Sequence, residues 1–323
     1  MTSGIESRKL HNGRLSHIES QTVSVEPIDD VTIVIACYNS RQFIADTLYS
    51  TLNCKPARIV IADDASTDDT LTIAEEILRN GCADFSIIRS TVNRGLTRNW
   101  NVAITRVTTP YCLKLDHDDI IVPSYVRAAV DFLRDNPNVG IIAGKAQTFS
   151  SRDVASCQPI KGITVGPPNG SIQTFSGTDA CRMVLAWNPY ACSSSTIYKM
   201  SAWNEVRGFD EHLCYCNDRE IWFRLAVNHD LAFYHGVAAF QRIHESNFTK
   251  TVRRRDRICY ELDHMFTTAS RTWNGKELRG EFRKALRRVA RNYFGSAIRS
   301  VTRRPWEVPC RIGRGLMALG KSC

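Results

Sequence analysis

Short runs of apolar and β-branched residues recur at regular intervals along the first half of the chain. They begin at residues 31, 57, 85, 111 and 139, so that successive starts lie 26 or 28 residues apart. The stretches between them have helical periodicity, at 41–52, 68–80, 96–107 and 123–135. Apolar strands that alternate with amphipathic helices predict βαβ units on a parallel sheet covered on both faces. The expected fold class is therefore α/β, with a mostly parallel twisted sheet flanked by helices.

The pattern becomes less regular after residue 150. A strand-like stretch at 190–198, a helix at 217–228 and a strand pair within 231–243 are expected next, followed by basic helices at 251–270 and 276–300. Residues 1–30 are polar and lack periodicity, which is typical of a flexible leader. We therefore predict a leader over 1–30, one α/β domain over 31–250 and a helical, basic C-terminal extension over 251–323.

Composition and charge exclude some classes of function. The chain has 323 residues, 43% of them hydrophobic, which is enough to form a substantial core. The net charge of +9 is concentrated in residues 271–323, where 14 Lys and Arg face three Glu, whereas residues 1–270 carry 28 basic and 30 acidic groups. A nucleic-acid-binding domain would carry its basic surface on the folded body, so we expect no nucleic acid as a partner.

The 12 cysteines form no CxxC pair, and no secretory signal or apolar run of transmembrane length is visible. We therefore expect reduced thiols and a cytoplasmic protein.

Polar and acidic residues directly follow three of the predicted strands. They are Tyr38 and Asn39 after the first strand, Asp63 and Asp64 after the second, and Asp116, His117, Asp118 and Asp119 after the fourth. Because ligands of open α/β sheets bind at the carboxyl ends of the strands, these side chains are candidates for one site. Five neighbouring aspartates need a compensating cation, and Mg²⁺ or Mn²⁺ that bridges to substrate phosphates fits carboxylate oxygens.

Each of these features also has a purely structural interpretation. Asp63 and Asp64 could form a turn and a helix cap, and Tyr38 could be a half-buried aromatic residue at a strand end. The chain contains neither GxGxxG nor GxxxxGK[ST], which disfavours dinucleotide-binding and P-loop proteins.

Several ordered motifs in residues 30–250 resemble the family 2 glycosyltransferases. They are VTIVIACYNS at 31–40, IVIADDASTDDT at 59–70, NRGLTRNWN at 93–101, LKLDHDDIIVP at 113–123, GFDE at 208–211, NDREIWFRL at 217–225 and QRIH at 241–244. The resemblance implies the metal-dependent GT-A fold and an inverting transferase that uses a nucleotide-diphosphate sugar, most often a UDP- or dTDP-sugar. It also implies a glycan, lipid-linked or polysaccharide acceptor.

The resemblance assigns roles to individual residues. Asp116 would face the ribose and the metal, Asp118 would bind the metal directly, and His244 would approach it from the far side. Asp63 would accept a hydrogen bond from the base, and either Arg94 or Arg98 would approach the diphosphate. The implied donor-binding residues are Ala36, Tyr38, Asp63, Ser66, Arg94, Arg98, Lys114 and Asp116.

Asp218 falls on the general-base position of the family, and Asn217 replaces the first member of its acidic pair. A base beside the acceptor hydroxyl and a metal on the leaving diphosphate suit displacement at an anomeric carbon. A helix start would lower the pKa of Asp218, whereas burial would raise it. The alternative is that Asp218 only caps the helix.

Two other functions remain open. A nucleotide-sugar-binding partner without catalysis would be consistent with the incomplete acidic pair at Asn217. A sugar nucleotidylyltransferase is disfavoured, because ACYNSRQF follows the first strand in place of a basic, glycine-rich loop.

The basic tail also has two interpretations. Leu278, Phe282, Leu286 and Val289 form one apolar stripe flanked by arginines. The helix either packs on the catalytic domain or lies on anionic lipid, which would place the protein at the inner face of the membrane.

Overall fold

The computed structural model describes residues 26–150, 170–185, 193–245, 247, 255–273, 276–300 and 308–320. The predicted leader lies outside these residues up to position 25. None of the helices in these ranges is long and apolar enough to cross a membrane.

Nine strands form one sheet in the order β3-β2-β1-β4-β8-β6-β9-β5, and β7 pairs with β9. The strands are β1 (Ile28–Cys37), β2 (Pro56–Asp63), β3 (Phe85–Arg89), β4 (Tyr111–Asp116), β5 (Ile120–Ile121), β6 (Val139–Ser150), β7 (Ile172–Phe175), β8 (Thr196–Lys199) and β9 (Asp230–Ile243).

Ten α-helices flank the sheet or follow it in the described ranges. They are α1 (Ile44–Asn53), α2 (Thr70–Asn80), α3 (Leu96–Ile104), α4 (Pro123–Asp135), α5 (Gly177–Leu185), α6 (Met200–Val206), α7 (Asn217–Asn228), α8 (Arg255–Thr272), α9 (Arg279–Ser300) and α10 (Val308–Gly320). The predicted helix at 217–228 is α7. Pro123 begins α4, a position where the missing backbone N–H of proline costs no helical hydrogen bond.

The first four strands form the parallel half of the sheet. β1 lies between β2 and β4, and all three run in the same direction. In this register Ala36 is opposite Asp116 on one side, and Cys37 is opposite Asp63 on the other. The acidic residues that follow these strands therefore emerge at one edge, as predicted.

In the second half of the sheet, the strands do not follow their order along the chain. β8 is inserted between β4 and β6 and is antiparallel to both. The predicted strand pair at 231–243 is one long strand, β9, which is parallel to β6 and extends it along its whole length. The prediction of two strands there was wrong, because the strand accommodates register shifts between Tyr234 and Ala239 without ending.

Buried side chains form two clusters that contain alternate residues of β1, so one cluster lies on each face of the sheet. The cluster with Trp100 and Phe223 also includes residues of α8 and α9. Helices of the predicted extension thus share a hydrophobic core with the α/β region.

Candidate functional site

The turn after β2 is held by hydrogen bonds between neighbouring strand ends. Asp63 is 1% exposed, and its Oδ2 accepts a hydrogen bond from the Ser66 amide at 3.0 Å. Ser66 Oγ accepts in turn from the Asn39 amide at 2.8 Å, which joins the end of β1 to this turn. The turn interpretation of Asp63 agrees with these contacts, and Ser66 is part of the same turn. Binding of a base by Asp63 stays a prediction.

Asp64 fixes the beginning of α3. Its two carboxylate oxygens accept from the amides of Arg94 at 2.7 Å and Gly95 at 2.8 Å. Gly95 has φ +88°, a left-handed conformation that favours glycine. The Arg94 side chain is exposed, and the Arg98 guanidinium pairs with Glu211 at 2.9 Å. Both arginines therefore remain candidates for a diphosphate contact.

Ala36 and Tyr38, two of the implied donor-binding residues, differ in exposure. Tyr38 is 45% exposed at the edge of the sheet, where its ring is accessible to a ligand. Ala36 is 2% exposed and lies in the core. Any contact of Ala36 with a ligand would have to involve its backbone.

Asp116 forms an ion pair with the buried side chain of Lys114. Lys114 is 3% exposed, and its Nζ lies 2.9 Å from Asp116 Oδ1, 2.5 Å from Ser193 Oγ and 4.2 Å from the centre of the Trp100 ring. Ser194 Oγ lies 2.9 Å from the other carboxylate oxygen. Burial would raise the pKa of Asp116, but the charge and hydrogen bond of Lys114 outweigh it, and the pKa is lowered.

Asp118 and His244 are in direct contact. His244 Nε2 lies 2.8 Å from Asp118 Oδ2, and Asn247 Nδ2 lies 3.3 Å from the same oxygen. The neighbouring Asp119 is 2% exposed and accepts from the Arg242 amide at 2.9 Å, which connects the acidic segment to β9. Burial raises the pKa of Asp119 well above its usual range, and the charges of Asp118 and Asp116 add to this effect.

The predicted metal ligands do not form a group of three potential ligands among the residues that the structure describes. Asp118 and His244 touch, whereas Asp116 faces Lys114 and Ser194. As ligand types, the two carboxylates suit Mn²⁺ or Mg²⁺, although Asp116 is paired with Lys114 in this structure. Metal binding by these three residues stays a prediction.

Asp218 lies in the first turn of α7 with one oxygen occupied. Its Oδ1 accepts from the Arg219 amide at 2.6 Å, and Oδ2 makes no hydrogen bond to the described residues. Burial raises the pKa of Asp218, against the opposing charge of Lys114. The effect of burial therefore outweighs the charges and hydrogen bond that lower the pKa of Asp218, and its role as a general base stays a prediction.

Asn217 has a side-chain amide at the position where the resemblance implies a carboxylate. Both ends of this amide form hydrogen bonds. Thr97 Oγ1 donates to the Leu213 carbonyl at 2.5 Å, so this hydroxyl is left to accept, and Asn217 Nδ2 donates to it at 3.1 Å. Asn217 Oδ1 accepts from the Asp218 amide at 2.8 Å. Asn217 therefore ties the start of α7 to α3.

A cavity of about 280 Å³ adjoins Asp218. It lies between β6, β9, α5, α7 and α8, and most of its lining is apolar or aromatic. The lining residues are Ile141, Ala143, Met183, Val184, Tyr215, Cys216, Asp218, Arg219, Trp222, Leu231, Ala232, Phe233 and Leu262. Residues 151–169 and 186–192, which include Trp187, lie outside the described residues.

Sequence reasoning missed three residues that support the site. Ser194 contacts Asp116 and Asp119, and Asn247 contacts Asp118. Glu261 accepts hydrogen bonds from the segment that precedes Asp218. Asn247 follows His244 by three residues, so the QRIH motif offered a signal, but Ser194 and Glu261 belong to no recognisable motif.

Comparison with known proteins gives a consistent result. Residues 32–184 match the family described as Glycosyl transferase family 2. An uncharacterized glycosyltransferase of Haemophilus influenzae is 23% identical over 249 residues, which are 72% of this chain and 74% of that protein. The poly-β-1,6-N-acetyl-D-glucosamine synthase of Staphylococcus epidermidis is 29% identical over 121 residues, which are 37% of this chain and only 29% of the synthase.

Solved structures show the same fold at lower identity. Residues 1–349 of S. aureus TarS in complex with UDP-GlcNAc have a TM-score of 0.66 at 17% identity, over 91% of this chain and 80% of that TarS chain. The mannosyltransferase PcManGT from Pyrobaculum calidifontis, in complex with GDP-Man and Mn²⁺, has a TM-score of 0.57 at 16% identity, over 93% and 90% of the two chains. The expected GT-A fold is thereby confirmed.

Proposed function

Because residues 32–184 place this chain with the family 2 glycosyltransferases, we propose that it transfers a sugar from a nucleotide-diphosphate sugar to an acceptor hydroxyl with inversion. The observation that carries the proposal is the joint arrangement of an acidic edge after β1, β2 and β4 and a partly buried carboxylate, Asp218, whose pKa is raised. TarS and PcManGT, which share the fold, are bound to UDP-GlcNAc and GDP-Man.

In this proposal Asp218 is the general base. Its Oδ2, which makes no hydrogen bond to the described residues, takes the proton of the acceptor hydroxyl, the acceptor oxygen bonds to the anomeric carbon, and the bond from that carbon to the diphosphate breaks. Attack from the side opposite the leaving group inverts the configuration. The raised pKa suits this role, because a more basic carboxylate takes a hydroxyl proton more readily.

The donor would lie along the edge formed by the ends of β1, β2 and β4. Tyr38 offers a ring for the base, Asp63 a carboxylate and Arg94 or Arg98 a positive charge for the diphosphate. Asp116, Asp118 and His244 would hold Mn²⁺ or Mg²⁺, which stabilises the charge of a leaving diphosphate.

The cavity beside Asp218 suits the acceptor. Its lining combines Trp222, Tyr215 and Phe233 with apolar side chains, and Asp218 is its acidic residue. Such a lining favours an acceptor that presents an apolar face next to its reactive hydroxyl, as a glycan ring or a lipid-linked glycan does. We extend the proposal to contact with anionic lipid, because α9 exposes a row of arginines.

A nucleotide-sugar-binding partner without catalysis is the second candidate. The observation in its favour, Asn217 in place of an acidic residue, is explained by the hydrogen bond that the Asn217 amide donates to Thr97. Transfer activity distinguishes the two functions.

The test begins with thermal shifts of the protein in UDP-, GDP- and dTDP-sugars with and without Mn²⁺. Transfer is then measured with the donor that stabilises the protein. Asp218→Asn is expected to keep the donor shift and lose about 10²- to 10⁴-fold in kcat, as removal of a general base does. Asp118→Ala is expected to lose the Mn²⁺-dependent part of the shift.

Asp131→Asn is the matched control, because Asp131 is exposed on α4 and pairs with Arg134. Full activity of Asp218→Asn would refute the assigned base. A donor shift in the wild type without transfer or donor hydrolysis would favour the binding partner.

A further inference from the structure

Glu261 is a buried carboxylate that the proposed reaction does not use. It lies on α8 and is 1% exposed. Its Oε2 accepts from three consecutive backbone amides, those of Cys214 at 3.0 Å, Tyr215 at 2.6 Å and Cys216 at 3.1 Å. The other oxygen faces Arg257 Nε at 3.1 Å. A buried charge is tolerated where donors of this number and strength surround it.

The three amides belong to the segment that leads into α7. Cys216 is the N-cap residue of α7, and it makes no side-chain capping hydrogen bond. Glu261 thus supplies from another helix the negative charge that stabilises a helix N-terminus. Asp218 is the second residue of that helix, only two positions beyond the last of the three amides.

Helix α3 bonds to the residues that precede this segment. Asn101 bonds to both backbone groups of Phe209, with its Nδ2 3.0 Å from the carbonyl and its Oδ1 2.9 Å from the amide. Thr97 Oγ1 donates to the Leu213 carbonyl at 2.5 Å. Residues 209–216 are therefore hydrogen-bonded to both α3 and α8.

A second contact ties α8 to this segment and to the cavity. His264 Nε2 lies 3.0 Å from Asp210 Oδ2, one turn along α8 from Glu261. Leu262, next to Glu261, lines the cavity together with Asp218. Helix α8 therefore fixes the loop and forms part of the wall beside the candidate base.

We infer that Glu261 is a positioning residue that holds Asp218 in place through the Cys214–Cys216 segment, which makes α8 a part of the catalytic site. The inference rests on the proposed function. Loss of the Glu261 hydrogen bonds lets the first turn of α7 move, and Asp218 then spends less time at the position where it meets the acceptor hydroxyl. The donor edge formed by β1, β2 and β4 does not contain this contact.

The experiment compares Glu261→Gln and Glu261→Ala with Glu281→Gln. Glu281 is a matched control, because it lies on α9 of the same extension and pairs with Arg182 at 3.7 Å. Gln keeps the length of the side chain and one acceptor oxygen, so we expect a loss in kcat of about tenfold for Gln and more for Ala, with the donor KM within about twofold of the wild type. Far-UV circular dichroism checks that each variant is folded.

Amide hydrogen exchange of Cys214, Tyr215 and Cys216 provides a readout that needs no substrate. We expect about tenfold faster exchange in Glu261→Gln and unchanged exchange in Glu281→Gln. If the wild type transfers no sugar from any donor, the proposed function fails, while the exchange comparison still decides whether Glu261 holds the segment. Unchanged exchange or unchanged kcat in folded Glu261→Gln would overturn the inference, as would an equal loss in Glu281→Gln.

Discussion

Lys114 connects the acidic edge of the sheet to the candidate base through its charge. The ammonium is buried against Asp116 and the Trp100 ring, where it lowers the pKa of Asp116. The same charge opposes the effect of burial on Asp218. One lysine therefore keeps Asp116 ionised and limits how far the pKa of Asp218 rises.

The pH dependence of transfer tests this connection. A base must be deprotonated, so activity is lost as the pH falls through the pKa of Asp218. Because that pKa is raised, the acid limb of kcat/KM is expected above the ordinary value of about 3.9 for aspartate. Lys114→Met removes the opposing charge, raises the pKa of Asp218 further and is expected to move the limb to higher pH.

Lys199→Met is the control for this substitution. Lys199 lies on β8 opposite Tyr111, at the far end of β4 from Asp116. Its loss should leave the limb in place. An acid limb that does not move in Lys114→Met would show that Lys114 has no electrostatic influence on the catalytic base.

Sequence motifs predicted those polar residues of the site that directly follow a strand. Asp116 and Asp118 could be placed because a buried strand ends at Asp116 and the chain must turn there. Glu261 could not, since its three bonds span 45 to 47 residues and depend on how α8 packs. Side chains that act across such distances leave no local periodicity in the sequence.

At the scale of elements, α9 shows how a predicted stripe is used. Leu278, Phe282, Leu286 and Val289 are all at most 6% exposed and belong to the core. The Phe282 ring meets Phe223 of α7 edge to face, with ring centres 5.7 Å apart. Of the two interpretations of the tail helix, packing on the catalytic domain accounts for the apolar stripe.

Truncation of the Phe282 side chain measures how much the packing of α9 contributes to the free energy of unfolding. Phe282→Ala is expected to lower the free energy of unfolding by about 3–5 kcal/mol, because a buried ring is lost and a cavity is left. Arg283→Ala, at the exposed neighbouring position, should change it by less than about 0.5 kcal/mol. Urea unfolding followed by circular dichroism gives both values. Equal stability of the two variants would show that α9 does not depend on this contact.

Sequence periodicity predicted the arrangement of only part of the strands in the sheet. The regular spacing of the first four strands follows from βαβ units, in which each crossover places the next strand beside the sheet. β8 has only four residues, Thr196–Lys199, and it is inserted between β4 and β6 through pairs such as Leu113 with Ile197. A strand so short and so distant from its partners in sequence is specified by packing alone.

At the scale of the whole molecule, positive charge is separated from the nearly neutral body. The polar face of α9 is basic and exposed while its apolar face is buried. On α10, Ile312, Leu316 and Met317 are 41%, 59% and 62% exposed. The two helices contact each other, and basic and exposed apolar side chains on neighbouring helices favour anionic lipid.

The lipid-contact proposal predicts salt-sensitive binding to vesicles that contain phosphatidylserine and weak binding to neutral ones. Replacement of Arg283, Arg287 and Arg291 by Gln is expected to weaken vesicle binding on the order of a hundredfold, since each basic residue near such a surface contributes about 1 kcal/mol. Arg79, Arg89 and Arg106 are also exposed and form the matched control triple. Sedimentation with vesicles at several NaCl concentrations measures both. Salt-independent binding by the wild type, or equal loss in the two triples, would refute electrostatic docking through α9.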